Sequence, residues 1–105
     1  MPRWLPRVLK RVHQLATSGG LRFTYKAMRE AAGLSLSPED VREVLADLTT
    51  GDSIGRLASE TTGEWMYVFK SQVGKQTVYI KIVLRDHCVV VSFHEDEGED
   101  HEEDE

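Results

Sequence analysis

The sequence has a single cysteine, Cys88. This excludes an internal disulfide and any metal site built from several thiolates, and it makes a reducing cytoplasm the expected compartment. No stretch approaches the roughly 18 consecutive apolar residues of a membrane span, so no membrane partner is expected. The opening MPRWLPRVLKRVHQL is basic and amphipathic, without the long apolar stretch and small-residue cleavage site of a secretory signal. Residues 95–105, EDEGEDHEEDE, contain no lysine or arginine. That block holds nine of the 18 acidic residues, so residues 1–94 carry thirteen basic and nine acidic side chains, a net of +4 under an overall −5. A block of like charges repels itself and has no apolar surface to bury, which predicts a disordered acidic tail over 95–105. A basic body suits a polyanion partner. The remaining 1–94, in a chain of 105 residues that is 40% hydrophobic, suffices for one domain with a core.

Periodicity predicts three helices followed by four strands. In the first, over 6–20, Val8, Leu9, Val12, Leu15 and Ala16 fall at helical spacing, and the SGG at 18–20 ends it. Thr24 is the expected N-cap of the second helix, with Ala27, Met28 and Ala31 as its apolar stripe and Gly33 as its stop. The third begins at Ser37-Pro38 with Asp40 placed for a capping box, buries Val41, Val44, Leu45 and Leu48, and ends at Gly51. Beyond Gly51 the period becomes two. SIGRLASE, EWMYVFKS, QTVYIKIVLR and CVVVSFH read as strands separated by short breaks at 61–63, 71–75 and 85–87, which favour hairpins. The expected fold is α+β: three N-terminal helices packed on one face of a four-stranded antiparallel sheet.

Alternation within the last two strands places Val78, Ile80, Ile82 and Leu84 on one face, and Val89, Val91 and Phe93 with them. The opposite face then collects Tyr79, Lys81, Arg85, Ser92 and His94, which Arg56 and Lys70 from the earlier strands can join. The plain alternative is the ordinary wet face of a half-buried sheet. Against it, no acid lies among these side chains on the two strands, whereas a wet face normally mixes signs to form cross-strand pairs. A phenol, an imidazole and several cations suit RNA cleavage by attack of the 2′-hydroxyl on the adjacent phosphate, which requires a base, an acid and cations but neither metal nor cofactor. In this reading Tyr79, His94 and Arg56 are the catalytic candidates, and Lys81, Arg85 and Lys70 hold RNA. His13 is read as a solvated surface residue, His87 as a turn residue, Cys88 as a packed thiol and His101 with the tail acids as a loose cation binder. Trp65, Tyr67 and Phe69 are read as packing, Trp4 as docking the first helix. Arg3, Arg7, Lys10 and Arg11 are a solvated helix face or a surface that steers RNA or meets an acidic partner.

VLKRVHQLATSGGLRFTYKAMREAAGL, DVREVLADLTTGDSIGRLASETTGEWMYVF and TVYIKIVLRDHCVVVSF together resemble the MqsR family of toxins from bacterial toxin–antitoxin pairs, within the wider RelE-like group of messenger-RNA ribonucleases. The likeness is carried by VYIKI at 78–82, VSF at 91–93, the step from Leu48 to Asp52, and Trp65. It implies a RelE-like fold, a messenger-RNA substrate and a cognate antitoxin protein, and it leaves a homodimer open. The family's strand tyrosine corresponds to Tyr79, and the basic residue after the last Ser-Phe to His94, where the family often has lysine. A family lysine falls near Gly55 and Arg56, so Arg56 is the candidate. The family glutamine after the strand tryptophan is replaced by Met66. That replacement and the tail suit a second reading, a non-catalytic RNA- or protein-binding module with the same fold. The tail itself is expected to lie over Lys81, Arg85 and His94 and compete with RNA, or to serve only solubility.

Overall fold

The structure, a computed structural model, describes residues 1–96. Helix α1 spans Trp4–Thr17, strand β1 Leu21–Phe23, α2 Tyr25–Gly33 and α3 Pro38–Ala46; a single 3₁₀ turn, Thr50–Asp52, leads into β2 (Ser53–Ala58), β3 (Trp65–Val73), β4 (Gln76–Leu84) and β5 (Cys88–Glu95). The fold is α+β, but the sheet has five strands, not four, in the order β1-β5-β4-β3-β2, and it is mixed: β1 runs parallel to β5 while the other pairs are antiparallel. Three residues are too few to show a period, and LRF gains its ladder only by pairing with Cys88, Val89 and Val90, far away in sequence.

One core joins the helices to one face of the sheet. Leu9, Val12 and Leu15 of α1 and Val41 and Leu45 of α3 are buried with Phe69, Ile80, Ile82 and Phe93. α1 begins two residues earlier than its periodicity indicates, with Trp4 in its first turn packed on Tyr67 at 5.4 Å between ring centroids. Gly19 at φ +82 ends this helix in the left-handed conformation, as the SGG predicted. The capping box of α3 is present: Ser37 Oγ accepts from Asp40 N–H, and the Asp40 carboxylate accepts from Ser37 N–H.

Two details of the strands differ from the periodic reading. β3 continues to Val73 and closes on Gln76 through the two residues Gly74 and Lys75, with Gly74 at φ +62, a tight hairpin rather than a five-residue break. In β5 the register steps from Lys81↔Ser92 to Ile82↔Val90, so Val91 is a bulge. The extra residue reverses the alternation. Cys88 and Val90, not Val89 and Val91, are therefore buried beside Phe93 in the core.

The stop of α2 also lies further on than Gly33, which is its last helical residue. Leu36 N–H donates to Ala31 C=O and Ser35 N–H to Ala32 C=O, with Ser35 at φ +63. This is a Schellman closure with serine where glycine is usual. A serine Cβ is strained there and a glycine is not. Ser35→Gly should raise stability by about 0.5–1 kcal/mol in urea unfolding; a loss of stability would show that the left-handed turn is not strained.

Candidate functional site

The face of the sheet away from the core is organised by the β3–β4–β5 register. Lys70 lies opposite Tyr79 and Tyr79 opposite His94, while Lys81 lies between Val68 and Ser92. The Tyr79 and His94 rings stack, with centroids 5.1 Å apart and planes 17° from parallel. Burial raises the Tyr79 phenol above its ordinary value; Asp96 adds to the rise and Lys70 opposes it. The phenol is accordingly protonated at neutral pH, a hydrogen-bond donor. His94 Nδ1 lies 3.1 Å from the Glu95 carbonyl, which can only accept, so the neutral ring carries its proton on Nδ1 and Nε2 is its basic nitrogen.

Two further residues of this site come from α2. Lys26 Nζ donates to Ser92 Oγ at 3.0 Å and pairs with Glu30 at 2.9 Å. Glu30 Oε1 accepts the Phe93 N–H at 2.9 Å. β1 ends opposite Val90, so beyond that point this carboxylate takes the place of a strand partner on the outer edge of β5. Burial pushes the Glu30 carboxyl up, but the Phe93 N–H, the Lys26 ammonium and the nearby His94 outweigh it and hold the group below its ordinary 4.5. The sequence contains this pair as an i,i+4 step in KAMRE, but nothing local brings it to β5. Asp96 is the third addition. Its N–H donates to Thr77 C=O at 2.7 Å, and its carboxylate, almost fully buried, meets Lys70 Nζ at 3.2 Å. The face is thus basic but not free of acids: the two carboxylates reach it from outside β4 and the first seven residues of β5.

Of the residues expected here, Tyr79, Lys81, Lys70 and His94 converge. Arg56 does not. The register of β2 shifts between Ser53 and Gly55, which puts Gly55, at φ +120, opposite Val68 on the open face and Arg56 opposite Tyr67 on the helix side. The Arg56 guanidinium lies 3.8 Å from the Trp65 ring centroid and 4.8 Å from that of Trp4. Arg85 does not join them either. It stands beyond β4 and holds Glu64 with two hydrogen bonds of 2.8 and 2.9 Å, and the same pairing keeps the Glu64 carboxyl below its ordinary value.

The remaining candidates sort simply. His13 is half-buried and not only solvated: its Nε2 donates to Leu48 C=O at 2.8 Å, tying α1 to the segment just after α3. The His87 carbonyl accepts Arg85 N–H and closes the β4–β5 turn. Cys88 is a packed thiol, pushed up to about 12 by burial. Phe69 is fully buried, Tyr67 half-buried, and Trp65 stays exposed over Arg56. Among the described residues no group of three His, Cys, Asp or Glu side chains could hold a metal, and no helix is long and apolar enough to cross a membrane. His101 and residues 97–105 of the acidic tail lie outside the described residues.

The sequence model of a toxin family, described as motility quorum-sensing regulator, toxin of MqsA, matches residues 7–95. The chain belongs to the MqsR family. It is therefore the toxin of a toxin–antitoxin pair, and membership implies a cognate antitoxin as its partner. No curated protein matches the chain. The matched span of this MqsR-family toxin includes Lys26, Glu30, Lys70, Tyr79, Lys81 and His94, and ends one residue before Asp96.

Glu30→Ala removes the acceptor of a buried N–H and should cost about 1–3 kcal/mol at neutral pH. Because the folded-state pKa of Glu30 is lowered, its contribution is fully present above the ordinary 4.5 and lost as pH falls through the lower folded value. The wild-type and Glu30→Ala unfolding free energies should therefore converge in acid; a gap that stays constant from pH 7 to pH 3 would contradict this.

Proposed function

We propose that this toxin is a metal-independent endoribonuclease that cleaves messenger RNA in the cytoplasm, with its site on the open face around Tyr79 and His94. The observation that carries the reading is the Tyr79–His94 stack, with Lys70 opposite Tyr79 on β3 and Lys81 two residues along β4 on the same face. His94 Nε2 takes the proton of the 2′-hydroxyl as that oxygen attacks the adjacent phosphorus. Lys70 and Lys81 hold the phosphate as its charge builds. The neutral Tyr79 phenol donates a hydrogen bond to a phosphate oxygen, and the protonated imidazole then returns its proton to the departing 5′-oxygen. Lys26 extends the cationic rim beside Ser92.

A second reading has its own support. At the β2 end of the open face stand Gly55, Leu57 and Met66, none with a side chain that can bind phosphate or move a proton. These positions favour a non-catalytic module that binds RNA or protein through the same fold. The two readings separate on cleavage. Tyr79→Phe and His94→Ala should each keep the fold and lower RNA cleavage by about 10-fold or more, the scale of losing an acid–base group. Wild-type protein that binds RNA without cutting it would establish the second reading, and unchanged cleavage in both variants would move the site elsewhere.

The Lys70–Asp96 pair adds a competitor within the chain. An RNA phosphate must displace the Asp96 carboxylate to reach Lys70. Asp96→Asn should tighten RNA binding at low salt, and the two proteins should converge at high salt as screening removes the competition. Equal affinities at low salt would show that Asp96 does not compete.

A further inference from the structure

α1 contains no acidic residue, and its polar side is cationic: Arg3 at its N-cap, then Arg7, Lys10 and Arg11, all exposed. This arrangement is unfavourable for a helix on its own. Cations at the N-terminus oppose the helix dipole, and like charges at i,i+4 repel. Elsewhere Lys26, Arg42, Lys70 and Arg85 have carboxylate partners, while Arg22, Arg29, Arg56, Lys75 and Lys81 have none among the described residues but do not form a row along one helix. Among the described residues none of the four α1 cations has one. A surface that breaks local rules without internal compensation is where a ligand is to be sought.

These side chains line two adjoining grooves between α1 and the sheet. One, of about 400 Å³, is bounded by Arg3, Trp4, Arg7 and Tyr67. The other, of about 360 Å³, is bounded by Arg7, Lys10, Arg11 and Leu84. Arg7 and Val8 line both, so the two grooves adjoin along α1 as a trough with Arg7 at the junction, cations along one wall and no acid in either lining. By helical rise the cations run about 12 Å from Arg3 to Arg11. At the Trp4 end, Arg56 lies over Trp4 and over Trp65, and Trp65 remains 44% exposed.

We propose that this trough is a second RNA-binding surface, which holds the phosphate backbone of single-stranded RNA along Arg3, Arg7, Lys10 and Arg11, with a base against the part of Trp65 that Arg56 leaves exposed. It rests on the reading that the protein acts on RNA, and it is separate from the open-face site. The trough floor, Tyr67 and Leu84, lies at the ends of β3 and β4 whose other face carries Met66 and Val83, so an RNA crossing that rim continues onto the face of Lys81 and Tyr79. The carboxylates of an acidic protein segment would use the cations but not the Trp65 ring. A cationic track ending in an exposed aromatic face is the arrangement that single-stranded nucleic acid uses.

The test measures binding of a 2′-O-methyl RNA of about 20 nucleotides, which cannot be cut through its 2′ oxygen, to full-length wild type, Arg7→Glu/Arg11→Glu, Arg7→Gln/Arg11→Gln and Trp65→Ala across a salt series. Circular dichroism confirms that each variant is folded. Loss of two phosphate contacts should make the slope of log K against log salt shallower by about 1.4 and weaken binding by about 10-fold or more at low salt. The glutamine pair should show the same change of slope without added repulsion. Trp65→Ala should weaken binding by about 5-fold or more with the slope unchanged. Affinity and slope equal to wild type in both charge variants would overturn the proposal. So would displacement of the RNA by polyglutamate as effectively as by RNA of the same charge, which would assign the trough to an acidic protein segment. Cleavage is read separately on unmodified RNA, so an inactive wild type would count against the nuclease reading while the binding comparison still decides the trough.

Discussion

Thr24 holds the junction on which the open face depends. Its hydroxyl accepts the Ala27 N–H, capping α2, and donates to the carbonyl of Val91, the bulged residue of β5, while its own N–H donates to Val90 C=O. One side chain thus fixes the start of a helix and the break in a strand's alternation. Without the bulge, a strand that buries Cys88 and Val90 would turn Ser92 and His94 into the core and Phe93 out of it. With it, Phe93 stays fully buried and His94 reaches Tyr79.

The same junction places α2 alongside the outer edge of β5, where its polar side does two jobs. Glu30 supplies the acceptor that a sixth strand would otherwise provide, and Lys26 reaches Ser92 on the catalytic candidate's side. An unpaired edge N–H in the interior costs about as much as a lost hydrogen bond, so the carboxylate is needed for the fold before it is useful for anything else. The cation beside it is then held in place by its partner at 2.9 Å. The stability of the β5 edge and the charge beside Ser92 are in this way set by one ion pair.

Charge divides the surface into two regions of different character. On the open face the amines of Lys26 and Lys70, though not that of Lys81, are each countered by a carboxylate, so a phosphate reaching either of those two exchanges one anion for another. Along α1 the cations stand without such partners among the described residues. The aromatic contacts of Arg56 belong to this second region, because the register shift in β2 turned that side chain away from the first.

Much of this was legible in the sequence, for local reasons. The helices, the Ser37–Asp40 capping box, the Gly19 stop, the hairpins and the buried faces of β3 and β4 follow from 3.6- and 2-residue periods and from cap chemistry, each acting over a few residues. Tyr79, Lys81, Lys70 and His94 were found because they alternate with the apolar residues. What alternation cannot carry is any event that adds one residue to a strand or pairs segments far apart. The bulge at Val91 reversed the face of half of β5, the shift at Gly55 moved Arg56 to the helix side, and β1 exists only through its partner some 67 positions later. Lys26, Glu30 and Asp96 enter the site by contacts across the fold, and Arg85 leaves it because Glu64, on a neighbouring strand's approach, holds it. The sequence by itself determined which residues face inward within each unbroken run; the tertiary structure decided which runs meet, because register and long-range pairing are properties of two segments and are written in neither alone.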